Sequence, residues 1–205
     1  MLLMNTPSRY GAVAMALHWM IAIVLLINIA LGLYVAEIMA DSDPMHGTAL
    51  QFHKSLGLTV LALSVLRVAW RVVNPAPPLP QTMAPRTRLL AHVSHFLLYV
   101  LIVVIPLTGW AMVSASRSAL PLPTHYFGLF DWPNLPFFAD LAGPEKRALH
   151  QDFNTAHLCL ALSALVLVPI HIAGAFYHRG RGDDVLSRMV PWGTAAAPDP
   201  AEARR

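Results

Sequence analysis

Residues 157–171 read HLCLALSALVLVPIH, two histidines bracketing thirteen residues without a charge. On an α-helix a separation of 14 is about 21 Å of rise and returns to nearly the same face. One helix then presents two imidazoles, one above the other, near opposite sides of an apolar slab about 30 Å thick. A chain built on such a segment has few options. Backbone groups in hydrocarbon must be satisfied within the segment, which leaves the helix.

Three more apolar runs accompany it. The expected helices cover about residues 11–36, 50–70, 89–114 and 152–177. The composition agrees, with 56% hydrophobic and only 12% charged residues and a mean hydropathy of +0.54. A soluble domain carries about 25% charged residues. The expectation is an all-α membrane protein, a bundle of four transmembrane helices. The net charge of +3 is not a nucleic-acid signal, because the basic residues flank apolar spans, where they set topology. The first run, Gly11 to Ala36, is longer than the 7–15 residues usual for the core of a signal peptide and is read as a retained helix.

Four spans put both termini on one side. The connection between segments 2 and 3 carries Arg67, Arg71, Arg86 and Arg88 and no acid, and the tail adds Arg179, Arg181 and Arg188. The connection between segments 1 and 2 carries Glu37, Asp41 and Asp43. By the positive-inside rule both termini face the cytoplasm. The proline-rich NPAPPLPQTMAP ends segment 2. Pro106 and Gly109 are expected to kink segment 3. Ala115 to Gln151 is read as an ordered cap on the membrane surface, and residues 193–205 as a disordered tail.

Orientation sorts the intramembrane histidines by depth. His18 and His171 fall toward the cytoplasmic side, His53 and His157 toward the outer side. Each pair comes from two helices at matching depth. Ionisable groups at such depth are costly and usually functional. One such histidine alone is equally well explained as a helix–helix hydrogen-bonding residue. The repeated spacing with depth-matched partners favours bis-histidine ligation of haem iron, two haems stacked across the membrane. Zinc or copper would want three or four converging ligands, usually including Cys or a carboxylate, and the spans hold no buried acid.

The single cysteine, Cys159, excludes both an intrachain disulfide and the Cys-x-x-Cys-His attachment of c-type haem. It reads as packing or lipid-facing filler. Small residues near the ligands would admit a flat macrocycle: Ala14 and Ala22, Gly57, Gly174 and Ala175. Arg67 lies 14 residues after His53, so Arg67 or Arg71 is expected to pair with a propionate of the inner haem, with Lys54 a weaker candidate at the outer one. His92, His95 and His178 lie at interfaces, where a solvated histidine is ordinary. Their functional alternative is proton exchange at a quinone site. His150 reads as another solvated interfacial histidine, and His46 and His125 as loop residues. Trp19, Trp70, Trp110 and Trp132 read as interfacial anchors.

RYGAVAMALHW, FHKSLG, LAHVSHFLLY, PLTGWAM, FGLF and the closing VLSRMVPW, taken with the His157/His171 spacing, resemble the bacterial cytochrome b561 family. The match runs from about Arg9 to Trp192, one transmembrane domain. The resemblance implies an inner-membrane four-helix bundle with two non-covalent b haems on His18, His53, His157 and His171. Some members resemble a superoxide oxidase, which takes electrons from superoxide at the periplasmic face and reduces ubiquinone. Relatives of the fold include cytochrome b subunits that pass electrons from hydrogenases or similar partners to quinone. Lys54, Arg117, Lys146 and Arg147 could draw superoxide to an outer mouth, although Asp131, Asp140, Glu145 and Asp152 lie nearby in sequence. Three classes stay open: an autonomous superoxide:quinone oxidoreductase, an electron-transfer subunit docked to a partner, and a non-redox scaffold, which the histidine geometry disfavours.

Overall fold

The computed structural model describes residues 2–116, 124–183 and 185–192. Arg117 and the 193–205 tail lie outside the described residues. Four long helices dominate: α1 (Ala12–Glu37), α2 (His46–Val73), α3 (Pro85–Ser114) and α4 (Gly143–Gly180). All four are long and apolar enough to cross a membrane. A two-stranded antiparallel hairpin, β1 (Thr124–Tyr126) with β2 (Phe130–Trp132), and a 3-10 turn at Pro136–Phe138 lie between α3 and α4. Consecutive helices pack as neighbours, α1 on α2, α2 on α3 and α3 on α4.

Three helices begin earlier than their apolar runs, α3 among them at Pro85. α4 has 38 residues, about 57 Å of rise against a hydrocarbon core of about 30 Å. Its first turns were expected to belong to the cap. Outside hydrocarbon, however, a helix needs only one apolar face. Leu149 and Phe153 supply it, packing with Ala111, Ala115 and Phe138. Pro144 stands in the first turn, where its missing N–H is harmless, and Glu145 Oε2 accepts from the Ala142 N–H at 3.1 Å. α2 likewise starts at His46, which was expected in a loop. α3 continues through Pro106 and α4 through Pro169.

The two ends of the bundle are closed differently. At the termini end, the N-terminal arm, the α2–α3 loop and the segment after α4 are tied together. Asn5 Nδ2 donates to the carbonyls of Asn74 and Pro75, and Arg9 Nη2 to those of Val190 and Pro191. Trp19 Nε1 donates to Met189 O, and Arg188 Nη1 to Pro78 O. Thr82 donates to Asp183, which also accepts from His178. At the hairpin end, Ser55 Oγ on α2 accepts from the Phe127 N–H at 3.0 Å and shares its one proton between Gln51 O at 2.9 Å and His125 O at 3.3 Å. The Tyr126 hydroxyl meets that of Thr59 at 3.0 Å. Trp110 on α3 donates to Pro133 O at 2.9 Å. Phe127 has φ of 49°, a left-handed conformation that a bulky side chain adopts only when its surroundings impose it.

A candidate two-level histidine site

One register runs through all four helices. Residues seven apart lie on nearly the same helix face, about 10 Å apart along the axis. On α1 the line is His18, Leu25, Gly32; on α2 His53, Val60, Arg67; on α3 His95, Ile102, Gly109; on α4 His157, Ala164, His171. Because neighbouring helices are antiparallel, these lines stack into three layers. The waist is apolar. Val60 and Ile102 are buried there with Ile21, and Leu25 packs against them. Ala164 is only 1% exposed and is the one buried residue of α4. Ala164 lies midway between His157 and His171, between the two histidine levels.

At the hairpin-end level His53 faces His157, with ring centroids 6.2 Å apart. At the termini-end level His18 faces His171 at 6.4 Å. An imidazole nitrogen ligates a metal at about 2 Å and the ring centre lies about 1 Å beyond it, so two imidazoles on opposite sides of one iron have centres about 6 Å apart. Both pairs have that spacing. Among the described residues, no group of three or more His, Cys, Asp or Glu is arranged to hold a metal ion. Two ligands per level suit haem, whose macrocycle supplies the remaining donors.

The hairpin-end imidazoles are held by their second nitrogens. His53 Nδ1 donates to Asn28 O at 3.2 Å. His157 Nδ1 donates to Ile105 O at 2.9 Å, with Thr108 Oγ at 3.2 Å. Such bonds fix the tautomer that leaves Nε2 free as a ligand. Glycines make room for both rings. A Cβ on Gly32 would stand 2.7 Å from His53 Cε1, and one on Gly109 would stand 3.1 Å from His157 Cε1.

Ala14, Ala22, Gly57, Gly174 and Ala175 were expected to give a macrocycle room, which is a separate matter from what seats the imidazoles. A Cβ on Gly57 would meet only Asn28 at 3.5 Å, and one on Gly174 would meet nothing within 4 Å. The glycines that seat the rings come from the neighbouring helices, not from the ligand's own. Their signal was in the sequence: Gly32 is 14 residues after His18, and Gly109 is 14 after His95.

The termini-end level is polar where the other has glycine. Arg67 and His95 occupy the corresponding register positions on α2 and α3. His95 stands 5.3 Å from His171, ring to ring. Arg67 Nε donates to the Tyr99 hydroxyl at 3.1 Å, while its Nη1 is buried with no partner among the described residues. Arg71 is exposed, and its guanidinium carbon is 5.4 Å from the Tyr99 ring centre. An unpartnered guanidinium nitrogen beside the termini-end pair is a place for a carboxylate, such as a haem propionate. Lys54 is half-buried next to His53.

The other predicted histidines separate. His92 is exposed one turn from His95. His178 donates to Asp183 at 2.9 Å. That bond, with the one from Thr82, holds the Asp183 carboxyl below the usual carboxylate range. His150 donates to Met112 O, and His125 pairs with Asp131 across the hairpin. Cys159 is exposed on α4, beside the exposed Leu158 and Leu162.

Comparison with known proteins gives a consistent result. A family model described as prokaryotic cytochrome b561 matches residues 9–192. Cytochrome b561 homolog 2 of Escherichia coli (strain K12) is 38% identical over 189 residues, covering 91% of this chain and 93% of that one. A probable superoxide oxidase CybB of Yersinia pestis is 24% identical over 185 residues, 89% of this chain and 96% of that one. With four apolar spans and a match over nearly its whole length, the chain belongs to the prokaryotic cytochrome b561 family, the bacterial inner-membrane electron-transfer proteins with haem b as cofactor.

Proposed function

We propose that the protein carries electrons between two b haems at two depths, oxidising superoxide at the periplasmic face and reducing ubiquinone. The observation that carries this reading is the pair of facing imidazoles at each level, 6.2 and 6.4 Å apart between ring centres. His53 and His157 would hold one group, His18 and His171 the other, and residues 9–192 form the working unit. When bound, the two haems supply one-electron carriers. Arg67, with Arg71, meets a propionate at the termini-end level, and Lys54 is the weaker counterpart at the hairpin end.

The termini are assigned to the cytoplasm, supported by the arginines of the α2–α3 loop and of the tail. The hairpin end is then periplasmic. Superoxide oxidation releases one electron and dioxygen and requires no proton. The chain's part is to keep His53 and His157 near the surface, with Lys54, Lys146 and Arg147 as steering charge. Reducing ubiquinone takes two electrons and two protons, so a proton-exchanging group belongs near the acceptor. His95 is the first candidate because it adjoins His171, with His92 and His178 farther out. The name of the Yersinia pestis relative, a probable superoxide oxidase, supports the donor.

Purified protein given a superoxide source and a soluble quinone tests the reading. Quinol formed in proportion to superoxide consumed is the expected result. Haems that ignore superoxide would favour the second reading, an electron-transfer subunit between a hydrogenase-like partner and quinone.

A further inference from the structure

We propose that Tyr99 is a positioning residue that aims the Arg67 guanidinium at the termini-end histidine pair, with Arg71 braced on the same ring. The inference rests on the reading above, in which Arg67 meets a carboxylate of a haem held by His18 and His171.

An arginine in a membrane span ordinarily extends its charged head toward the interface. Arg67 does not have that freedom. Tyr99 lies on α3 one turn after His95, and its ring packs against the waist cluster of Ile21, Val60 and Ile102. The Tyr99 hydroxyl accepts the Arg67 Nε–H at 3.1 Å, and the guanidinium carbon sits 5.4 Å from the ring centre. The grip uses Nε alone. The two terminal nitrogens are left as a fork, the part of a guanidinium that meets a carboxylate through two parallel bonds. Buried Nη1 has no partner among the described residues. Arg71, one turn on, lies at 5.4 Å from the same ring. One aromatic side chain thus gathers two positive charges from α2 beside the termini-end level, and a rigid ring on α3 sets the direction of one of them.

A positive charge held near a haem favours its reduced form and raises its potential. Redox titration of the purified, haem-loaded protein therefore reads the effect. Arg67→Gln should lower one of the two midpoint potentials. Tyr99→Phe, which keeps the ring and removes the acceptor, should lower the same potential by less. The double variant should match Arg67→Gln alone, since Phe keeps the ring that braces Arg71 and the Tyr99 hydroxyl acts only through Arg67. Arg67→Lys keeps the charge but cannot be gripped through Nε, and it should behave like Tyr99→Phe.

Unchanged potentials in Tyr99→Phe beside a lowered one in Arg67→Gln would overturn the role of Tyr99 and leave that of Arg67. Additive shifts in the double variant, or a wild-type potential in Arg67→Lys, would overturn it as well. If neither residue moves a potential, the propionate assignment falls and Tyr99 falls with it. The haem pairing would still stand on stoichiometry.

Discussion

Gly32 on α1 lies so close to His53 on α2 that a methyl group at position 32 would stand 2.7 Å from the imidazole Cε1. No real Cβ tolerates that distance, so the ring must turn. Gly32→Ala should reduce haem occupancy at the hairpin-end level and leave the other level intact. Gly109→Ala, with 3.1 Å to His157, should have a milder effect of the same kind. Haem per chain, measured on purified protein, checks both. Full occupancy in Gly32→Ala would show that the glycine does not seat the ligand.

Removing a ligand should act on one level only. His157→Ala should lose the haem shared with His53 and keep the one shared with His18. A variant that still carries two haems per chain would break the pairing. The 7-residue register also predicts that Ala164→Leu disturbs both levels at once, because its side chain would force α4 away from the waist. Visible spectra of the two variants should differ accordingly, one haem against a loss at both.

Much of this arrangement was legible in the sequence. The four spans follow from length and hydropathy, and the facing of His18 with His171 and of His53 with His157 from loop order and spacing. Gly32, Gly109 and Tyr99 were not recognised, although each lies in register or one turn from it. The space around an imidazole is set by the helix opposite, so nothing on the ligand's own helix marks them. The early starts of α2, α3 and α4 were hidden for another reason. Hydropathy marks where a helix enters hydrocarbon, not where it begins. The hairpin could not be read, because its anchor is Ser55, about 70 residues away in the chain.

The hairpin predicts a stability effect. Ser55 is fully buried and serves both His125 O and the Phe127 N–H. Ser55→Ala removes the acceptor of the Phe127 N–H, a loss of about 1 kcal/mol. It also frees Phe127 from its left-handed conformation. Thermal unfolding in detergent should shift downward, and protease should cut between residues 124 and 132 sooner than in the wild type. Equal cutting rates would mean that other contacts hold the hairpin.

The termini end should loosen in acid. Asp183 is held below its ordinary value of 3.8, first by the bond from His178 and then by that from Thr82. A depressed carboxyl stabilises the fold above its unfolded value, and the contribution fades as pH falls through the lowered one. Amide exchange near Thr82 and Asp183 should therefore quicken below about pH 4. Asp183→Asn should exchange faster at neutral pH and lose that acid dependence. An unchanged acid response in the variant would assign it to another group.

The most direct test of the central claim is the haem content and reduced-minus-oxidised spectrum of the purified chain, alone and in four single variants. Two b haems are expected in the wild type. His18→Ala and His171→Ala should remove one and the same component, and His53→Ala and His157→Ala the other. A single haem, or a component lost on crossing the pairs, would contradict the two-level arrangement.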